Sequence, residues 1–536
     1  MSSKAKNWIC PVLVFLAGLS WALVPCYLYF VDSIGYLNSF YNGKLSHLLY
    51  HPYHPLFPGL WRLIWTVSDA KESPTNTLRE GAIMVSFFSG LGLLATFLWG
   101  RKIGLSSIES LLGALALGGL GAWAYFSNNW ACYIPAISLM LSAFLLVVAD
   151  HLADNDNLRS KNRHLLWCYG GGILLGLSTG FHILTILALP GLVFILWSKS
   201  RDLYRSGVFI IGYMTAVILI WLTAAHGYKS LPGNIGLLGW LSSSYGANAM
   251  WWGPFNFLLQ LNADYIGIRK VLFMGVFPSE LGPGMLQEMS IIKIAGCIFA
   301  LGGLGLFFFN ALFHGIKTIE VLRRKGFIRL RWGLLSIWLP LAIYSSIYVA
   351  YHSHYRLFAW AIFWWLLLLI YANIQDIKWR RLGFIALLIF VVGMWSHNIF
   401  AGPLRWGSWT NNPYLVEVSM INETPYKSAP AILDSDPMSY ARVQHLMLFR
   451  GGAYSATVYE IKMHHSDSVY TDPQLKTHYI WVTDTAMKEL GWEIDMDGNI
   501  VSENELFRIK GLEIGKLKVK MNLNTPLGFI YLLSCD

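Results

Sequence analysis

Long apolar stretches alternate with short polar connectors over the first 400 residues. The pattern then changes to charges and short alternating runs. Eleven apolar segments lie at about 8–30, 81–100, 106–126, 133–150, 164–180, 182–198, 206–225, 291–316, 332–351, 356–373 and 382–401. Each is near the ~20 residues that an α-helix needs to cross a hydrocarbon core. The fifth and sixth form one apolar stretch, 165–197, too long for a single span. Gly170, Gly171, Gly172, Gly176 and Gly180 interrupt it. The pattern predicts a tight hairpin of two short helices turning at Ser178-Thr179-Gly180-Phe181.

Charge sorts the connectors. Lys4/Lys6, Arg101/Lys102, Arg159/Lys161/Arg163, Lys199/Arg201/Arg205, the run from Lys317 to Arg331, and Lys378/Arg380/Arg381 all fall on one side when eleven segments are threaded in order. The positive-inside rule puts that side, with the N-terminus, in the cytoplasm. An odd span count puts the C-terminus outside. The loops 31–80 and 226–290, the turn at 351–355 and the tail from about 402 then share the outer face. Without the hairpin, every later loop would switch sides.

Composition agrees. The chain has 536 residues, 55% of them hydrophobic and 13% charged. Soluble domains carry about 25% charge. The net charge of +10 resides largely in the basic connectors and gives no reason to expect nucleic acid. Six cysteines at 10, 26, 132, 168, 297 and 535 show no metal-like spacing, and isolated buried thiols are usually packing. Lys4 and Lys6 precede an apolar run too long for a signal-peptide core, so the first segment reads as a retained anchor.

The tail from Asn411 to Asp536 is a different material. Ala431–Leu433, 455–461 and 478–482 read as strands, 438–449 reads as a helix ended by Gly451-Gly452, and 492–501 reads as a hairpin turning at Asp497-Gly498. The expected fold class is mainly α: a polytopic transmembrane bundle over 1–401, followed by a small extracytoplasmic α/β domain over 402–536.

Three clusters carry candidate chemistry, all on the predicted outer face. The first loop holds Asp32, Tyr36, His47, His51, His54 and Arg62 with Pro52, Pro55 and Pro58. Asp32 reads either as a general base near a phosphate or sugar hydroxyls, or as a cap at a span end. The second cluster is Tyr351-His352-Ser353-His354-Tyr355-Arg356. Arginine binds phosphate through paired donors, or it snorkels to the interface. The third is Asp264-Tyr265 with Arg269-Lys270, a phosphate clamp or the flank of an interfacial helix. His182, at the break of the glycine-rich hairpin, is a polar residue within an apolar stretch and therefore a functional candidate, although a structural histidine fits equally. Asp154-Asn155-Asp156 lies in a short basic loop on the opposite face and reads as solvated. Asp495-Met496-Asp497-Gly498-Asn499 lacks the glycine and glutamate positions of a calcium loop and reads as a hairpin turn.

The acidic residue after the first segment (Asp32), the His51-Pro52-Tyr53-His54-Pro55 run, the segment 176–190 around His182, and His354-Tyr355-Arg356 before a late span together resemble the GT-C superfamily of polytopic glycosyltransferases. That group includes protein O-mannosyltransferases and aminoarabinose transferases, and the resemblance covers roughly residues 8–400. It implies a polyprenyl-phosphate sugar as donor, embedded among membrane lipids, and an acceptor whose class stays open among protein, lipid and glycan. It also implies Asp32 as base, and Arg356 with His354 or the Arg269-Lys270 pair on the departing phosphate. His51, His54, His182 and Tyr355 are expected to line the substrate. The mannosyltransferases carry an Asp-Glu pair in this loop, whereas Ser33 follows Asp32 here. The first-loop DxD of the metal-dependent oligosaccharyltransferases is absent, so neither metal nor cofactor is expected. An O-antigen-type polymerase or ligase, or a non-enzymatic transporter, is the alternative. The first-loop Asp speaks against the former, and the lack of inverted repeats and mid-membrane charges speaks against the latter.

Overall fold

In the computed structural model, the described residues are 3–23, 33–35, 37–38, 54–60, 74–151, 158–200, 203–229, 257–274, 291–315, 325–347, 353–402, 404, 408–435, 437–450, 455–458, 479–502 and 517–535. All eleven apolar segments contain helix. The bundle consists of α1 (Ser3–Ser20), α2 (Pro74–Lys102), α3 (Ser107–Gly118), α4 (Gly121–Ser127), α5 (Tyr133–His151), α6 (Leu158–Phe181), a 3-10 turn (Ile183–Ala188), α7 (Leu189–Ser200), α8 (Leu203–Lys229), α9 (Phe257–Leu272), α10 (Ile291–Asn310), α11 (Lys325–Ile347), α12 (Ser353–Ala372) and α13 (Ile377–Ala401). Among the described residues, six helices are long and apolar enough to cross a membrane by themselves, or seven if the bent pair α3–α4 is one span. The outward faces of α8, α10 and α13 carry exposed Leu219, Leu222, Ile298, Phe299, Ile385 and Val392. Apolar faces of this extent need lipid around them, and the chain is an integral membrane protein.

Close helix contacts at glycines give the relative directions. A Cβ on Gly172 would meet the Phe209 carbonyl oxygen at 2.1 Å, one on Gly176 the Tyr213 oxygen at 2.8 Å, and one on Gly180 the Ile220 side chain at 2.7 Å. Rising numbers pair with rising numbers, so α6 and α8 run parallel. The chain must therefore return between them, and the 3-10 turn with α7 is the returning segment. Gly191 of α7 packs against Ile337, and Ile195 against Gly333 of α11, so these two helices run antiparallel. The hairpin is present, but its corner lies at His182 rather than at 178–181. Helix α6 continues to Phe181 because Ser178 and Thr179 donate within and across the bundle, to Ala136 O at 2.6 Å and Leu175 O at 2.9 Å. His182 then caps the 3-10 turn, its Nδ1 accepting from Leu184 N at 3.2 Å. Antiparallel α10–α13 (Gly296 on Gly393, Gly303 on Ala386) and parallel α2–α5 (Gly81 on Trp130, Gly92 on Ser138) also agree with alternate threading.

The third segment differs from a single straight span. It breaks between α3 and α4 and bends by 73°. Backbone groups at a break inside a bundle need new partners. Trp21 Nε1 donates to Gly118 O at 3.2 Å, and Asn398 Nδ2 donates to Gly119 O at 2.6 Å.

Beyond the bundle lie α14 (Pro413–Asn422), β1 (Ala431–Leu433), α15 (Pro437–Phe449), β2 (Ser455–Thr457), β3 (Tyr479–Thr483), α16 (Asp484–Leu490), β4 (Trp492–Ile494), β5 (Ile500–Ser502), β6 (Leu517–Thr525) and β7 (Gly528–Cys535). The sheet order is β2-β1-β3-β7-β6, with β2, β1 and β3 parallel and β7 and β6 antiparallel to their neighbours. Side chains alternate between its faces, as the two-residue period of a strand requires. Ala431, Leu433, Trp481 and Ile530 face α14 and α15. Ile432, Ile480, Val482 and Leu533 face α16 and the β4–β5 hairpin. The strands at 431–433, 455–457 and 479–483, helix α15 and the β4–β5 hairpin match the sequence reading. Helices α14 and α16 and the strand pair β6–β7 were not anticipated.

Candidate active site

The end of the bundle holding the α4–α5 turn, the corner at His182 and the start of α12 gathers most of the described candidates. His182 lies at the centre of a ring cluster: its imidazole is 4.6 Å from the His54 ring, 5.4 Å from Tyr133, 5.8 Å from Tyr355 and 5.2 Å from Phe358, centre to centre. Tyr133 stacks on His354 at 4.5 Å with an interplanar angle of 24°. His54 Nδ1 lies 3.2 Å from Phe181 O and 3.7 Å from Cys132 Sγ. Offset-stacked and tilted aromatic pairs of this kind are favourable by about 0.5–1.5 kcal/mol each beyond burial.

Pro55 leads into a short helix at 56–60, and Phe57 packs edge-on to Trp130 at 6.4 Å. That contact sets the height of His54 over the bundle. His354 and Arg356 are buried by the first turn of α12. Arg356 pairs through Nη2 with the Asp264 carboxylate of α9. Charge-assisted bonds to a guanidinium fix its plane, so Asp264 orients Arg356. Arg269, one turn further along α9, sits over the Tyr265 ring at 5.3 Å, and Lys270 is buried. The end of α9 is tied to the bundle through Asn398, whose Oδ1 accepts from Met274 N at 2.7 Å.

Asp32 and His51, together with Tyr36, His47, Arg62 and His352, lie outside the described residues, as do Asp154–Asp156. Ser33, the residue after Asp32 in the chain, is fully buried and donates to Trp130 O at 2.5 Å. No group of three or more His, Cys, Asp or Glu side chains among the described residues is arranged to hold a metal ion.

One contributor, Tyr133, escapes the sequence reading, and the role of a second, Asp264, is only partly visible there. Tyr133 touches His182, His354 and Tyr355. Its signal was its place as first residue of an apolar segment on the predicted outer face. Asp264 was noted only as part of the α9 cluster. Its partnership with Arg356 spans 92 positions, and no local pattern reveals that.

No protein-family model matches the sequence, and no curated protein matches it. Among solved structures, the apo oligosaccharyltransferase of Archaeoglobus fulgidus is 13% identical with a TM-score of 0.53, over 90% of this chain and 70% of that one. The same enzyme in complex with zinc and sulfate gives 14% identity and 0.51, over 88% and 68%. ArnT from Cupriavidus metallidurans, solved bound to undecaprenyl phosphate, gives 10% identity and 0.52, over 91% and 95%. The chain has the GT-C fold. At these identities the likeness is one of architecture, and it extends over about nine tenths of this chain. Within that GT-C bundle, the His182 ring cluster and the Arg356–Asp264 pair lie at one end.

Proposed function

We propose that this protein is an integral-membrane glycosyltransferase. It takes a sugar from a polyprenyl-phosphate donor at the non-cytoplasmic end of the bundle and transfers it, with inversion, to an acceptor. The observation that carries this reading is the convergence of His54, His182, His354, Tyr355 and Arg356 at one end of a GT-C bundle. These residues come from three separate stretches of chain that the sequence assigned to one outer face.

Asp32 takes the proton of the acceptor hydroxyl as its oxygen bonds to the anomeric carbon. The bond from that carbon to the phosphate oxygen breaks, and polyprenyl phosphate leaves with the electron pair. A phosphate leaving group needs no proton, but it needs positive charge where its own charge grows. Arg356, held by Asp264, supplies that charge, with His354 or the Arg269-Lys270 pair beside it. The rings of His54, His182 and Tyr355, together with His51, line the sugar and exclude water. Direct displacement from the face opposite the phosphate inverts the anomeric centre. The ArnT structure carries undecaprenyl phosphate, and a donor of that class suits the wide apolar flanks of this bundle.

The test is Asp32→Asn in purified protein supplied with sugar-charged polyprenyl phosphate and candidate acceptors. Loss of a general base lowers turnover by about 10²–10⁴, with an unchanged melting temperature. Undiminished transfer would remove Asp32 from the mechanism. A cysteine at position 434 labelled from the outer side of sealed vesicles supports the orientation, and labelling from the cytoplasmic side overturns it.

A further inference from the structure

Asp32 is followed by a segment that is held from two directions. Ser33 is anchored to the bundle through Trp130 O. Ile34 and Leu37 are fully buried in the bundle core cluster. Asn38, 5% exposed, reaches 406 positions along the chain to α15, where its Nδ2 donates to the backbone oxygen of Gln444 at 2.9 Å and to Gln444 Oε1 at 2.8 Å. Both partners are acceptors, and one is a main-chain carbonyl. The amide orientation of Asn38 is therefore set by chemistry.

Helix α15 presents two faces. Val443 and Leu446 join the core beneath the sheet. Gln444 and Leu448, one turn apart and so on one side, face the other way, and Leu448 belongs to the same bundle core cluster as Ile34 and Leu37. The helix is itself held firmly. Arg442 makes a buried two-point pair with Glu417 of α14, its Nε donating to Oε2 at 2.7 Å. Asn422 of α14 donates to Phe449 O at 3.1 Å.

We infer that α15 positions the first-loop segment next to Asp32 through the Asn38–Gln444 contact, which gives the C-terminal domain a part in the transfer step. This rests on the proposed role of Asp32 as base. Gln444 and Asn38 are positioning residues: they touch no substrate and act through the placement of that carboxylate. Displacing a reacting group by ~1 Å can cost about 10²-fold in rate, so a clamp six residues away has leverage.

The experiment uses full-length protein and sugar-charged polyprenyl phosphate. Asn38→Ala removes both bonds and is expected to lower kcat by about tenfold, with the donor KM within about twofold. Gln444→Glu keeps an acceptor oxygen and is expected to retain parental kcat, whereas Gln444→Lys sets a donor against a donor and is expected to lower it. If Asn38→Ala does not fold, the Gln444 pair carries the test. In an Asp32→Asn background, Asn38→Ala is expected to cause no further loss. A further loss there, equal to that in the parent, would show that the contact acts on stability alone and overturns the inference. Proximity is tested without any activity. A Cβ on Gly35 would lie 3.9 Å from Gln444 Oε1, so Gly35→Cys with Gln444→Cys is expected to join through a short bifunctional thiol reagent. Absence of that cross-link overturns the docking. Full activity of Asp32→Asn with the cross-link present would instead overturn the base reading alone.

Discussion

The two ends of the bundle are built from different materials. At one end, a four-residue connector after α2 leads into α3, where Ser106 and Glu109 form a capping box. Glu109 then accepts from Arg380 Nε at 2.9 Å, Arg380 Nη2 at 3.0 Å and the Tyr371 hydroxyl at 2.9 Å. Every lone-pair direction of that carboxylate has a donor, and three elements are locked by it. At the other end, longer loops bring together five imidazole or phenol rings and one guanidinium that shares a partly exposed carboxylate. The first arrangement saturates charge. The second concentrates the groups to which the proposed function assigns chemistry. Both ends use an Arg–carboxylate pair, and the carboxylates differ in exposure: the Glu109 side chain is 8% exposed and that of Asp264 24%.

The sharpest way to break this comparison is to remove the arginine at each end. Arg356→Ala is expected to lower sugar transfer by about 10³-fold, or about 4 kcal/mol in the barrier. Arg356→Lys keeps the charge without the fork and recovers part of that loss. Arg380→Leu is expected to do the reverse. It strands the buried Glu109 and costs about 3 kcal/mol of stability, read as a lower melting temperature in detergent, with the turnover of the folded fraction unchanged. If Arg356→Ala lowered stability while leaving transfer intact, the assignment of chemistry to that end would fail.

These assignments were legible in the sequence to unequal degrees. Each apolar segment shows as helix because burial in lipid leaves a continuous run that needs no alignment to read. The hairpin over 165–197 was legible because only a reversal there keeps the basic loops on one side. The parallel packing of α6 on α8 supplies the same reversal from geometry. The 73° bend was not legible. The backbone oxygens at the break are satisfied by the Trp21 and Asn398 donors, which meet Gly118 and Gly119 from far along the chain. The late strands β6 and β7 were missed for a similar reason: β7 pairs with β3, about fifty positions earlier, and that pairing turns an ambiguous apolar run into a sheet strand. At the candidate site, His54, His182, His354 and Arg356 were visible as polar residues at apolar boundaries. Asp264's hold on Arg356 and the central place of Tyr133 depend on tertiary contacts alone.

Smaller effects sharpen the same contrast. Tyr133→Leu removes ring contacts to His182, His354 and Tyr355, each worth roughly 0.5–1.5 kcal/mol. Such a loss distributed over a substrate wall is expected to raise the donor KM about three- to tenfold, with a modest fall in kcat. Steady-state kinetics with varied donor reads it. An unchanged KM would make the ring cluster a packing device and leave Arg356 as the main contact with donor.

The smallest expected effect belongs to the tyrosine at the opposite end. Tyr371→Phe keeps its ring against Phe307, 5.1 Å away, and removes only the hydroxyl that bridges Glu109 and Arg380 O. A hydrogen bond to a charged group contributes about 1.5–3 kcal/mol. Arg380 continues to hold Glu109 at two points, so the loss is expected near the lower bound. Thermal unfolding in detergent reads it as a small downward shift, while the kinetics of transfer stay those of the parent. A change in kcat or KM with Tyr371→Phe would mean that the saturated end communicates with the reacting one. The bundle would then act as a lever between its two faces, and the separation of stability from chemistry drawn from Glu109 and Arg356 would no longer hold.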